Sequence, residues 1–86
     1  MTEEWYVYVL DKGNYKGTKR VKVGSSSNWK RRISNQGGQK VLLELNGPYP
    51  DNMAAEIMEF RIAAKWQRDG YNVQVGNVIP WGKTFE

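Results

Sequence analysis

The stretch VKVGSSSNWKRRIS, residues 21–34, sets the fold of this 86-residue chain. Its first three residues alternate apolar and charged side chains, as in a strand with one buried face, and Gly24 ends that run. A helix starting near Trp29 can then be capped by one of the polar side chains before it, Ser26, Ser27 or Asn28. The stretch therefore predicts a strand, a turn and a short helix that carries three consecutive cations.

A partner for this strand lies upstream. The apolar run WYVYVL, residues 5–10, predicts a largely buried strand. The polar segment at residues 11–20 contains two glycines, and we expect it to connect the two strands as a long antiparallel hairpin with no fixed structure of its own. Downstream, residues 35–38 predict the end of the short helix, and residues 41–45 (VLLEL) predict a third strand.

The longest predicted element is a helix capped by Asp51 and ended by Gly70. We expect its core-facing stripe to consist of Met53, Ala54, Ile57, Phe60 and Ala64. Residues 71–75 can add a last strand, and residues 78–81 are expected to be irregular. The fold class is α/β (α+β): one domain over residues 1–86, with a small, mainly antiparallel three-stranded sheet flanked by helices.

Composition excludes several classes of site. The chain has no cysteine and no histidine, which rules out disulfides, thiolate or imidazole metal ligands and a histidine base. No apolar run reaches the roughly 20 residues of a membrane span, and the N-terminus MTEEWY lacks the pattern of a signal peptide. We therefore expect a cytoplasmic protein with no membrane partner.

Positive charge is concentrated in one segment. Nine of the 13 lysines and arginines fall within residues 12–40, where there is no acidic residue. Clustered cations favour a polyanion such as nucleic acid, with DNA as the first expectation, because neutralising phosphates releases counterions. A solvated basic surface remains the alternative.

Several residues together carry a family resemblance. Residues 6–10 (YVYVL) and residues 22–24 (KVG) lie on the two hairpin strands. Four further positions follow at set offsets: Ser26, Trp29, Arg32 and Ile33. This pattern resembles the GIY-YIG nuclease family, in which two strands carry Gly-Ile-Tyr and Tyr-Ile-Gly motifs. The family also has a helical glutamate followed roughly a dozen residues later by an asparagine. Here Glu59 precedes Asn72 by 13 positions and Glu56 precedes it by 16, so Glu59 is preferred.

The resemblance implies a small metal-dependent endonuclease and assigns roles to particular residues. The implied catalytic residues are Tyr8, Lys22, Arg32 and Glu59. The implied metal ligand is Glu59, with Glu56 as the alternative, and the implied ion is Mg²⁺ or Mn²⁺. Gly24 and Asn72 belong to the structural motif. The expected nucleic-acid contacts are Lys19, Arg20, Ser26, Lys30 and Arg31.

Two departures keep other functions open. Tyr6 stands where the family has the first motif's glycine, and Lys22 stands where it has the second motif's tyrosine, as in phage-type members that look like this family. Lys22 can be a base, a phosphate contact or a sign of lost activity. The alternatives are a weak or inactive module of the same fold that binds nucleic acid, a nucleotide or a protein, and an unrelated small RNA binder. A homodimer would suit double-strand cleavage.

Overall fold

The computed structural model describes residues 4–34 and 41–75, and the predicted features at residues 35–38 and 78–81 lie outside this part. The elements in chain order are β1 (Trp5–Tyr15), β2 (Thr18–Ser26), α1 (Trp29–Ser34), β3 (Val41–Tyr49), α2 (Asn52–Arg68) and β4 (Asn72–Val75).

The hairpin of β1 and β2 is longer than the sequence pattern indicates. The two strands pair antiparallel along their length and are joined by Lys16 and Gly17, whose φ angles are 51° and 79°. Two consecutive positive φ angles are typical of a type I′ turn, whose twist matches that of paired strands. The predicted hairpin is confirmed, but residues 11–20 form strand on both sides of a two-residue turn rather than a segment without fixed structure.

The sheet confirms the predicted fold class and corrects its strand count. Its order is β3-β1-β2-β4, with β1 antiparallel to both β2 and β3. The last strand predicted within residues 71–75 is present as β4, which lies parallel to β2 and makes the sheet four-stranded rather than three-stranded. Val73 and Val75 pair with Val21 and Val23, and all four side chains are buried. Burial of these alternate valines is what holds β4 on the sheet.

The ends of α2 lie where the sequence predicts them. The Asp51 carboxylate accepts a hydrogen bond from the backbone N–H three residues later, at 2.8 Å, which satisfies one free donor of the first turn. Gly70, with a φ of 97°, ends the helix. Its N–H bonds to the carbonyl of Gln67, while the N–H of Tyr71 bonds to that of Trp66. This pair of bonds is the Schellman motif, and the edge-to-face rings of Trp66 and Tyr71 supply its apolar contact.

The buried face of α2 is not the predicted one. Met53, Ile57 and Phe60 are 71%, 52% and 58% exposed, so the expectation that they face the core was wrong. The helix instead buries two alanines and an isoleucine against the valines of the sheet, together with one glutamate: Ala55, Ala63, Ile62 and Glu59. Alanines allow the helix axis to approach the sheet closely, and the larger apolar side chains remain outside.

Candidate active site

Strand alternation divides the predicted site residues between the two faces of the sheet. Val7 and Val9 of β1 belong to the core under α2, so Tyr8, between them, lies on the opposite face. Val21 and Val23 of β2 also belong to that core. By the same alternation, Lys22 and Gly24 share the face of Tyr8, and Tyr8 is paired directly with Gly24.

Helix α1 covers this second face. The ring of Trp29 contacts that of Tyr6 edge to face, with 6.5 Å between centroids. Asn28 caps the helix: its carbonyl accepts from the N–H of Arg32 at 3.1 Å, and its side-chain oxygen accepts from the N–H of Arg31. The predicted start of α1 is therefore confirmed, and its second arginine is directed toward Tyr8.

Tyr8, Arg32 and Gly24 form the centre of the candidate site. The Tyr8 side chain is only 2% exposed, and Arg32 lies close enough for hydrogen bonding and its positive charge to lower the pKa of the hydroxyl. A Cβ added at Gly24 would lie 2.5 Å from the Tyr8 hydroxyl oxygen and 2.6 Å from Cζ. No side chain fits there, so glycine is needed for the phenol to lie across β2.

The Tyr8 hydroxyl favours its protonated form. Burial raises the pKa of Tyr8 above its ordinary value, and the negative charge of Glu59 raises it further. The hydrogen bond and positive charge of Arg32 act in the opposite direction but do not outweigh burial. Tyr8 is therefore a neutral hydrogen-bonding group at neutral pH, and Glu59 lies close enough for its charge to act on the phenol.

Glu59 reaches the end of β2 from the α2 side of the sheet. Its side chain is 9% exposed, and its Oε1 accepts a hydrogen bond from the hydroxyl of Ser25. Burial raises the pKa of Glu59, as does the charge of Glu56 one helical turn earlier, whereas the Ser25 hydrogen bond lowers it. Glu56 itself is exposed. Of the two glutamates, only Glu59 meets the strand that carries Gly24.

Ser25 is a residue that the sequence reading did not assign. The sequence pattern did indicate that Ser25 faces α2, because Val21, Val23 and Ser25 fall on alternate positions and thus on one face of β2. The reading assigned Ser26 to nucleic acid instead. The hydroxyl of Ser26 accepts the N–H of Asn28 at 2.9 Å, which shapes the turn into α1. Ser26 thus has a structural contact in this turn, and its contact with nucleic acid stays a prediction.

The predicted cationic contacts fall into two groups. Lys30 and Arg31 are exposed on α1 beside the candidate site, and Lys30 lies 5.6 Å from the centroid of the Trp29 ring. Lys19 and Arg20 lie toward the turn end of the hairpin, roughly 15 Å from Gly24 along the strand. The guanidinium of Arg20 also donates to the carbonyl of Lys12 at 3.0 Å and so braces the hairpin.

Lys22 and Asn72 occupy neighbouring strands beside the site. Lys22 pairs with Leu10 on one side and Gln74 on the other, two residues before Gly24. Asn72 is the first residue of β4 and pairs with Arg20, away from Tyr8. Lys22 thus lies with the candidate site, whereas Asn72 serves the start of the terminal strand.

The donor set around Glu59 fits a weakly held divalent ion. Within residues 4–34 and 41–75, no Lys or Arg forms a salt bridge with this buried carboxylate, and no group of three or more acidic residues that could enclose a metal is present. A buried carboxylate without a cationic partner is costly. Mg²⁺ retains several waters and needs only one or two carboxylates plus substrate oxygens. Glu59 fits such an ion or Mn²⁺.

Comparison with known protein families gives one match. The family model described as the T5orf172 domain matches residues 5–74. The chain belongs to the T5orf172 domain family. The match begins at the first residue of β1 and ends within β4, so it covers β1 to α2 in full and includes Tyr8, Arg32 and Glu59.

Two other comparisons and a search for membrane spans complete the description. Neither the search of curated proteins nor the search of solved structures found a match to this T5orf172 domain. In the part of the chain that the structure describes, no helix is long and apolar enough to cross a lipid bilayer.

Proposed function

We propose that this T5orf172 domain is a small metal-dependent endonuclease of GIY-YIG type that hydrolyses phosphodiester bonds in nucleic acid, with DNA as its partner, in the cytoplasm. The observation that carries the proposal is the Tyr8 hydroxyl, which lies against Gly24 and within the electrostatic reach of both Arg32 and Glu59. A guanidinium, a phenol and a buried carboxylate at one strand end are suited to an anionic substrate that gains charge during reaction.

Each side chain has a distinct task in this proposal. The fork of Arg32 binds phosphate oxygens and stabilises the charge that develops as water attacks phosphorus. Tyr8, which is protonated at neutral pH, donates a hydrogen bond to the same group. The protonated phenol of Tyr8 cannot take up a proton, so we assign removal of the water proton to Lys22 in its neutral amine form, which becomes the ammonium. A divalent ion at Glu59 would supply Lewis-acid stabilisation of the phosphate and leaving oxygens.

A second candidate function is a module of the same fold that binds nucleic acid without cleaving it. The observation that favours it is the division of the site. Tyr8 and Lys22 lie on one face of the sheet, whereas Glu59 bonds to Ser25 on the other. Lys22 stands where the GIY-YIG family has the tyrosine of its second motif, and this difference also favours binding without cleavage. This candidate predicts salt-sensitive binding and no Mg²⁺-dependent product.

Nicking of supercoiled plasmid separates the two functions. We expect Mg²⁺-dependent conversion to open circles, abolished by EDTA and reduced at least 100-fold by Arg32→Ala and by Glu59→Gln. Each substitution has a matched control next to it. Arg31→Ala removes an exposed arginine of the same helix, so it should weaken binding but keep the rate at saturating protein. Glu56→Gln removes an exposed carboxylate of the same helix and should cleave normally.

The outcomes divide clearly. If wild type binds DNA in a salt-sensitive way but does not nick it in Mg²⁺ or Mn²⁺, the result would support the binding module. Cleavage that survives both Arg32→Ala and Glu59→Gln would show that the nuclease chemistry lies elsewhere or in a contaminant. Loss of activity in Glu56→Gln but not in Glu59→Gln would transfer the metal-ligand role to Glu56.

A further inference from the structure

The outward face of α2 carries an apolar row that the domain does not use in its described core. Met53, Ile57 and Phe60 are 71%, 52% and 58% exposed, and Ala64 continues the row. Successive steps of four, three and four residues are those of the d and a positions of a coiled-coil heptad. Contiguous exposed apolar side chains of this size mark an interaction surface more often than a solvated one.

Charges on the flanks of this row indicate its partner. Glu56 directly precedes Ile57, and Arg61 directly follows Phe60, so they occupy g and e positions on opposite sides of the row. Both are exposed, and neither forms a salt bridge within residues 4–34 and 41–75. In a parallel two-stranded coiled coil, a g residue meets the e residue five positions later on the other helix. Glu56 therefore faces the partner subunit's Arg61, and the two-fold axis repeats this pair.

The opposite helix orientation lacks this complementarity. In an antiparallel pair, each flank meets the same flank of the other copy, which brings the Glu56 sides together and the Arg61 sides together. In a parallel pair, each apolar residue of the row also packs against the same residue of the other copy, for example Ile57 against the partner subunit's Ile57. The charge pattern thus selects both a second copy of this chain and its direction.

We propose that two copies of this chain associate through the outward faces of α2, side by side and parallel, as a two-fold symmetric homodimer. The contact is one short helix row, smaller than the about 1,600 Å² of a standard interface. We therefore expect reversible dimerisation in the micromolar range. Parallel pairing places the two Glu59 side chains, which point away from the contact, at the same level along the two-fold axis. The proposal does not depend on cleavage activity.

Sedimentation velocity across a protein concentration series tests the dimer. We expect wild type to shift from monomer to dimer, and Ile57→Lys, which sets two ammonium groups against each other at the axis, to weaken dimerisation at least tenfold. The matched control is Leu43→Lys, at a comparably exposed apolar position on β3 (Leu43 is 41% exposed). It should dimerise like wild type. Circular dichroism of each variant checks that the fold is retained.

A charge exchange tests the Glu56–Arg61 contact without removing apolar area. Glu56→Arg should weaken the dimer, because it opposes two cations, and adding Arg61→Glu in the same chain should restore it. Restoration is a result that a folding defect would not produce. Failure of the double exchange to restore a dimer that Glu56→Arg had weakened would overturn the assigned pairing.

Direction can be read from cross-linking, since the chain has no cysteine of its own. In the parallel dimer, Met53→Cys chains should form disulfide-linked dimers with each other, as should Ala64→Cys chains. In an antiparallel dimer, only a mixture of the two variants would cross-link. The proposal is overturned if wild type stays monomeric at every concentration, if Leu43→Lys rather than Ile57→Lys abolishes the dimer, or if only the mixture cross-links.

Discussion

Gly24 and Tyr8 define the candidate site at the scale of single residues, because the phenol occupies the space of a missing Cβ. Gly24→Ala would place a methyl group 2.5 Å from the Tyr8 hydroxyl oxygen. Tyr8 is nearly fully buried and cannot turn away freely, so we expect a loss of about 1–3 kcal/mol in unfolding free energy, as for overpacked cores. Urea unfolding measures this loss. We also expect nicking to fall, because Arg32 loses its phenolic partner. Unchanged stability and activity would contradict this packing.

Glu59 shows how a buried carboxylate can lower stability. Its pKa is raised by burial, so the folded state resists ionisation. Below the ordinary glutamate pKa, the carboxyl is neutral whether folded or unfolded. As pH rises through the raised pKa, ionisation costs the folded state free energy. Glu59→Gln avoids this cost and should raise the midpoint of thermal unfolding near pH 7.

The pH dependence of this increase in unfolding midpoint tests whether the pKa of Glu59 is raised. The difference in unfolding midpoint between Glu59→Gln and wild type should shrink toward zero as pH falls below about 4, and Mg²⁺ should narrow it at pH 7 by stabilising wild type alone. Glu56→Gln, at an exposed position, is the control and should shift the midpoint little. A gain that is the same at pH 4 and pH 7 would contradict a raised Glu59 pKa.

Strand β2 organises the site at the scale of secondary-structure elements, because its alternate residues serve opposite faces. Lys22 and Gly24 face α1, whereas Ser25 faces Glu59 on α2. This alternation, the caps of both helices and the β1–β2 pairing follow from short-range chemistry and were predictable from the sequence. The pairing of Tyr8 with Gly24 was not predictable, because its register depends on the turn at Lys16 and Gly17 and on the bulge between Asp11 and Gly13.

Lys22 is the residue of β2 whose substitution can distinguish a role in cleavage from a role in DNA binding. Lys22→Arg keeps the positive charge but replaces a group that can lose a proton with one that cannot. If Lys22 accepts the water proton, this variant should bind DNA as wild type does and lose at least 100-fold in single-turnover nicking rate. A variant that nicks at the wild-type rate would assign Lys22 to phosphate binding and return proton removal to another group.

Helix α2 shows what periodicity alone does not determine. Its two stripes, one of large apolar residues and one rich in alanine, share the same helical period, so hydrophobicity favours the stripe with Met53, Ile57 and Phe60. Close contact with the valines of the sheet instead selects the alanine-rich stripe as the buried one. That choice depends on the distance between helix and sheet, which no local pattern contains. The length of the hairpin was missed similarly, because its strands are held by long-range pairing.

The whole molecule distributes its charge and apolar surface in different directions. Cations lie along the hairpin and α1, while the apolar row of α2 lies on the outward side of the helix that backs the other face of the sheet. A dimer through α2 would therefore leave both basic surfaces and both Tyr8 sites accessible. One nick per strand at two sites is the simplest way for so small a domain to cut a duplex.

The central claim is that Arg32 and Glu59, on helices that cover opposite faces of the sheet, act on one phosphate. A double-mutant cycle of single-turnover nicking rates at saturating protein and Mg²⁺ measures this directly. When two residues act together in one transition state, the rate loss in the double variant is smaller than the product of the two single losses. We predict that the variant with both Arg32→Ala and Glu59→Gln nicks no more slowly than the slower single variant, and far below wild type. A double variant whose rate loss equals the product of the two single losses would contradict the claim, because the two residues would then act independently.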